Sequence, residues 1–384
     1  PMARLMARRP GPEFWRTLVL AALIAAIGLL SSLRALSLHV RRWGEPNIYL
    51  NYSHGLVRRG LVGEVIRLLG LPESKLVFSV ACWTAGVLTL LLLAWLAARA
   101  RHLHPAVTML LLASQFLPTL AYNTGYLDPF VTLLVLLTYL CLARGWLIPA
   151  AAAAFVAPFV HEQFIFFMLP VATLAVIRLV RRSGFLPHVV TFGAALVGTL
   201  VVLIFDNKQG GAALMQQSPM TEYVIHGMIR DQLGQTLGSS LKYMVGFYAT
   251  TWKYSLVMVT FMIAPALLML VFSRSLVKAA PWVVAGLIGP LGLLAVAWDL
   301  SRFSVMAVFG LFVVLAVADS PLFHEPLPAA EVSAASFLVG GLLALGYAMV
   351  PFIYSYPQYG YTPDTLQTWV DKFVDRSRKW PYRP

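Results

Sequence analysis

The sequence predicts an all-α, polytopic integral membrane protein with about 11 transmembrane helices plus interfacial amphipathic helices. Three observations carry that expectation. The 384 residues are 59% hydrophobic and only 12% charged, more apolar side chain than a soluble domain of this length could bury. The apolar residues form runs that cross, or nearly cross, a bilayer core, which takes roughly 20 helical residues. The basic residues behind the net charge of +13 sit in short clusters between those runs. A nucleic-acid-binding surface would gather them on one polar domain, so no nucleic-acid partner is expected.

In order, the runs fall near 15–36, 75–98, 105–121, 129–143, 146–160, 163–180, 188–205, 254–273, 281–298, 302–318 and 331–352. The first is long and lacks the small-residue cleavage site of a signal peptide. The fourth and fifth are short and separated only by Arg144 and Gly145. They read either as two full spans or as a broken pair entering from one side. Cys82 and Cys141 both lie inside runs, so no disulfide or metal framework follows. No 20–50-residue period appears and the halves do not match, which excludes a solenoid and argues against an inverted-repeat transporter. The organisation is one transmembrane domain, 1–353, followed by a short tail, 354–384.

Lysine and arginine set the orientation. Arg4, Arg8, Arg9 and Arg16 lie at the start of the first run. Counting runs from there puts Arg99, Arg101, Arg144, Arg178, Arg181, Arg182, Arg274 and Lys278 on the same face. By the positive-inside rule that face is cytoplasmic, and the C-terminus lies outside. The expected location is a bacterial inner membrane.

The same count places every unusual polar cluster on the outer face. These are the first loop, 37–74, the stretch NTGYLDP at 123–129, and the turn HEQ at 161–163. A long loop at 206–253, the stretch WDLSRF at 298–303 and the tail complete the set. Arg58 and Arg59, in NYSHGLVRRG, therefore break the topology rule and need another reason to exist. Residues 59–70 read as an amphipathic helix with Leu61, Val62, Val65, Ile66, Leu68 and Leu69 on its apolar face. Similar patterns recur around Tyr223–Asp231 and after Thr362–Pro363, where Trp369 and Phe373 are apolar. Interfacial helices over a set of spans enclose a cavity open to lipid and water, which suits a substrate with a lipid tail and a polar head.

Each candidate has two readings. Arg58 and Arg59, with His54 beside them, bind a lipid-linked phosphate, or the arginines hold anionic headgroups. Arg302 contacts phosphate with Asp299 orienting it, or the two form a plain i,i+3 pair. Asp128 is a general base, or the cap of a helix that begins at Pro129. His161 and Glu162 do acid–base work or contact phosphate, or His161 is a satisfied junction histidine. HEQFI is not HExxH, so no zinc protease site is supported. Glu64 and Arg67 read as a surface pair, and NYS at 51–53 as a weak glycosylation sequon.

The first run, a first outer loop with an acidic residue and an interfacial helix, and many spans with outer polar clusters together resemble the GT-C superfamily of membrane glycosyltransferases. That resemblance implies a polyprenyl-phosphate sugar donor. It also implies a catalytic acidic residue soon after the first span. In GEPNIYLNYSHGLVRRG this would be Glu45, where the family usually has aspartate, with Tyr49 following. A looser likeness to bacterial polysaccharide polymerases and O-antigen ligases implies diphosphate-linked glycans instead. The expected function is therefore sugar transfer from a lipid-linked donor to a glycan or lipid acceptor outside the membrane, in cell-envelope synthesis. No cofactor is expected, a divalent metal stays open, and the rival of another class is a lipid-linked-substrate transporter or flippase.

Overall fold

A computed structural model describes residues 11–41, 44–229, 237–295, 299–324 and 327–349. Among these residues every regular element is helical. Five helices are long and apolar enough to cross a membrane: Pro12–Leu33, Lys75–Arg99, Pro105–Tyr122, Leu186–Phe205 and Ser255–Phe272. Six shorter apolar helices accompany them. The tail, including the expected helix after Thr362, lies outside the described residues.

The centre of the bundle is a helix whose every residue is buried, Leu300–Ala316. Beyond its first turn, which carries Ser301, Arg302 and Ser304, the sequence LSRFSVMAVFGLFVVLA is apolar on all sides, as suits a helix without a solvent face. Asp299 caps it, accepting from the Arg302 N–H at 3.3 Å. Phe309 stacks on Phe116 at 4.9 Å and meets the edge of Phe167 at 5.9 Å, which sets its register against two neighbours. The first helix, α1 (Pro12–Leu33), is the opposite case. Only Ala21, Ile24 and Gly28 are buried, against α3 (Lys75–Arg99), and its outer face is a row of exposed leucines and aromatics. Exposed apolar side chains on this scale suit a lipid solvent.

The short fourth and fifth runs form two helices, α6 (Asp128–Ala143) and α7 (Leu147–Val160), packed on one another. Gly145, at φ +73°, makes the left-handed turn between them. Breaks occur elsewhere. The third run divides into α4 (Pro105–Ala113) and α5 (Phe116–Tyr122), with Ser114 Oγ donating to Leu111 O and accepting from Phe116 N. The sixth divides at Met168 into α8 (Phe164–Phe167) and α9 (Leu169–Val180).

Two expectations about the outer loops are corrected. The segment 206–253 is mostly helix: after α10 (Leu186–Phe205) come α11 (Lys208–Gln217), α12 (Glu222–Met228) and α13 (Leu237–Phe272). α13 starts well before the apolar run because extending a helix adds a hydrogen bond per residue without a new nucleation step. The helix at 59–70 is α2 (Leu61–Leu68), and its apolar face is divided. Val62 and Ile66 pack inward while Val65, Leu68 and Leu69 stay exposed. Glu64 is not a surface residue; it takes Arg67 at 2.6 Å and also accepts the Tyr52 N–H at 3.0 Å.

The first loop is pinned onto the second. A 3-10 turn at Glu45–Ile48 follows Gly44, where a Cβ would stand 2.5 Å from the Gly125 backbone. Gly125 itself sits at φ +100°, and its carbonyl accepts from Asn47 Nδ2 at 3.0 Å. Glycine at both positions permits this approach.

Candidate functional site

The turn His161–Glu162–Gln163 joins two polar networks at one end of the bundle. α7 ends because His161 is extended, at φ −162° and ψ 127°. The chain then turns, and its three side chains part. Gln163 points into the bundle, while His161 and Glu162 face the first loop.

The inner network is built on Asp128, which is fully buried. Its Oδ2 lies 3.0 Å from Arg302 Nε and 3.2 Å from Asn123 Nδ2, while Oδ1 accepts from Gln163 Nε2 at 3.0 Å. Arg302 also reaches Asp299 Oδ2 at 3.6 Å and lies over the Tyr126 ring at 5.1 Å. A buried carboxylate needs this much compensation. Asp128 was expected as a general base or a cap, and the geometry corrects the cap reading. Leu127 occupies the cap position, and both carboxylate oxygens are engaged away from solvent. Asp128 holds Arg302.

The outer network is built on Glu162. Arg59 grips it with two bonds, Nη2 to Oε1 at 2.5 Å and Nε to Oε2 at 3.2 Å. Arg58 Nη1 stands 3.8 Å from Glu162 Oε1, and the Arg58 N–H donates to Asp206 Oδ1 at 2.9 Å. Arg59 has φ +67°, a left-handed conformation that strains a residue with a side chain. The Glu162 side chain keeps 21% of its surface, against none for Asp128. Burial alone would raise the Glu162 carboxyl, but Arg59, His161 and Arg58 hold it well below the usual carboxylate range. Burial, then the Arg59 charge, pull His161 down to about 4, so its ring is neutral near pH 7. Its Nδ1 faces two partners, Glu162 Oε2 at 3.2 Å and the Gln163 N–H at 3.3 Å.

Arg58, Arg59, His161, Glu162, Asp128 and Arg302 are thus gathered at one end of the bundle. The two networks also sense one another, since the Arg302 charge contributes to lowering His161. The other candidates are not brought into this cluster. Glu45 pairs with Lys75 Nζ at 2.8 Å, where α3 begins. Tyr49 is buried near that pair, and burial raises its hydroxyl. His54 is exposed; its ring meets Ser53 Oγ at 3.1 Å and its carbonyl accepts from Asn207 Nδ2. Asn51 is buried, with its amide donating to Glu73 Oε1 at 2.8 Å. Sequence reasoning did not single out Gln163, Asn123, Tyr126 or Asp206. Their only signal was membership of HEQ, NTGYLDP and DNKQGG.

Three guanidiniums, Arg58, Arg59 and Arg302, face four carboxylates, Asp128, Glu162, Asp206 and Asp299. The arginines are therefore not waiting cations: an anion arriving here must compete with a carboxylate. Beside the inner network runs a small apolar groove of about 80 Å³ between α1, α3 and α5, lined by Leu29, Leu33, Trp83, Val87, Leu120 and Pro129 among others. Pro129 follows Asp128 directly. Cys82, also in the groove, has its Sγ 3.8 Å from the carbonyl of Tyr126.

Among the described residues these features form a helical bundle with helices apolar enough to cross a membrane and a charged cluster at one end. Against protein-family models, curated proteins and solved structures, the chain finds no match.

Proposed function

We propose that the protein is a membrane glycosyltransferase of the GT-C kind, acting outside a bacterial inner membrane on a polyprenyl-phosphate sugar. In this reading the five long and six shorter apolar helices give eleven crossings, with the N-terminus cytoplasmic and the C-terminus outside. The observation that carries it is the groove beside the arginine–carboxylate cluster. A hydrocarbon tail suits the groove, whose Pro129 adjoins Asp128 of the cluster, and guanidiniums suit a phosphate.

The donor phosphate takes Arg58 and Arg59, whose side chains keep somewhat more surface than that of Arg302, and displaces Glu162 from Arg59. Glu162 loses the charge that depressed its pKa most strongly and becomes a better base. It takes the proton of an acceptor hydroxyl, whose oxygen attacks the anomeric carbon. The bond from that carbon to the phosphate oxygen breaks, and the lipid phosphate leaves with its charge met by the arginines. Asp128, Asn123 and Gln163 hold Arg302 behind them. The acceptor is a glycan or a lipid.

The test uses the protein in liposomes with polyprenyl-phosphate-linked sugars and a labelled sugar. Glu162→Gln should lower transfer by about 10²–10⁴-fold while donor is still retained. Arg58→Ala with Arg59→Ala should lose donor retention. Transfer at the unaltered rate in both variants would overturn the reading.

A further inference from the structure

At the bundle end opposite Asp128, α3 finishes at Arg99 and α6 runs into the turn Arg144–Gly145–Trp146. Both guanidiniums sit on one indole: Arg99 Cζ is 4.7 Å and Arg144 Cζ 5.0 Å from the Trp95 ring centroid. Arg144 also lies 5.1 Å from the Trp146 ring. Both arginines are exposed. Among the described residues neither meets a carboxylate, whereas nearby Arg101 pairs with Glu13.

Two positive charges gathered on one ring repel, and cation–π attraction at an exposed site offsets this only modestly. A shared anion resolves the repulsion. The surroundings say what carries it. Trp146 is 53% and Ile148 83% exposed, so the anion's neighbourhood is apolar as well as basic. A Cβ on Gly145 would meet nothing within 4 Å, so the turn stands open to an occupant. Indoles beside arginines are the usual furniture of a membrane boundary, where a headgroup and its acyl chains meet.

We propose that Arg99, Arg144, Trp95 and Trp146 bind the phosphodiester headgroup of an anionic phospholipid, with its acyl chains beside Ile148. The site lies in the leaflet opposite the Asp128 end and does not depend on the proposed catalytic role. A free phosphate would use the guanidiniums but gain nothing from the exposed isoleucine.

Native mass spectrometry of the full chain from mixed phosphatidylcholine and phosphatidylglycerol bilayers tests this. The unaltered protein should retain one tightly held phosphatidylglycerol that the Arg99→Gln/Arg144→Gln variant loses, with affinity on the order of 30-fold weaker. The Arg181→Gln/Arg182→Gln variant removes two exposed cations at the same end and should keep that lipid. Arg99→Lys/Arg144→Lys keeps the charge but loses the planar stacking, and should fall between. Unchanged retention in the Arg99/Arg144 glutamine variant, or equal loss in both glutamine variants, overturns the proposal. So does displacement of the lipid by millimolar inorganic phosphate. A thermal melt of each variant, matching the unaltered protein, separates lipid loss from unfolding.

Discussion

Arg302 and Arg59 stand at the same end of the bundle, yet they hold their carboxylates for different reasons. Arg302 faces a fully buried Asp128, with two amides on the carboxylate and Asp299 beside the guanidinium. That pair is a condition of folding, because a buried charge without its partner is strongly unfavourable. Arg59 grips Glu162 at the rim, with surface still open and its own backbone strained. In the proposed function that pair is exchanged for the donor phosphate. The contrast separates the buried pair from the rim pair proposed to meet a substrate.

The sharpest way to break this contrast is to remove each arginine in turn. Arg302→Ala leaves Asp128 buried and unpaired and should destabilise the protein by about 3–5 kcal/mol. Unfolding in detergent would measure it, and a loss no larger than that of Arg59→Ala would erase the distinction. At the rim, Arg59→Ala and Arg59→Gly both lose the guanidinium, but glycine accepts φ +67° freely. The glycine variant should be the more stable of the two by about 1 kcal/mol.

Acid should weaken the outer network through its own groups. His161 has a folded value near 4 against an ordinary 6.5, so the unfolded chain binds the extra proton between them. Its contribution to stability is whole above pH 6.5 and is lost as the pH falls toward 4. Glu162, held below its ordinary 4.5, adds a further loss at lower pH. Melting temperature against pH should show both, and His161→Gln should remove the first. The smallest effect belongs to Glu45→Gln. Its partner Lys75 has a side chain 60% exposed, so the change should be under about 1 kcal/mol, and the proposed sugar transfer should be retained. A collapse of transfer in that variant would restore Glu45 to the chemistry.

Much of the site was legible as a list of stretches but not as an arrangement. HEQ, NTGYLDP, WDLSRF and NYSHGLVRRG all contribute side chains to the cluster or its frame. Which residue of each stretch does what was not legible. In HEQ the eye falls on His161 and Glu162, while Gln163 proves to hold the buried carboxylate. Asp128 beside Pro129 resembles a cap in sequence, and only the approach of Arg302 turns it into a buried ion pair. The groove could not be read at all, since it is bounded by α1, α3 and α5, elements distant along the chain.

By itself the sequence determined the solvent and the helices. A chain with 59% apolar residues in long runs has few ways to satisfy its backbone outside water except as helices packed together. It also determined where charge could gather, because ionisable residues are confined to the gaps between runs. Tertiary structure alone decided which charges meet and how deeply. Burial and pair geometry depend on contacts between residues far apart in the chain, such as Arg59 with Glu162 and Asp128 with Arg302. Local pattern carries no information about those distances. Depth then leaves Asp128 fully buried beside Arg302 and Glu162 with side-chain surface at the rim.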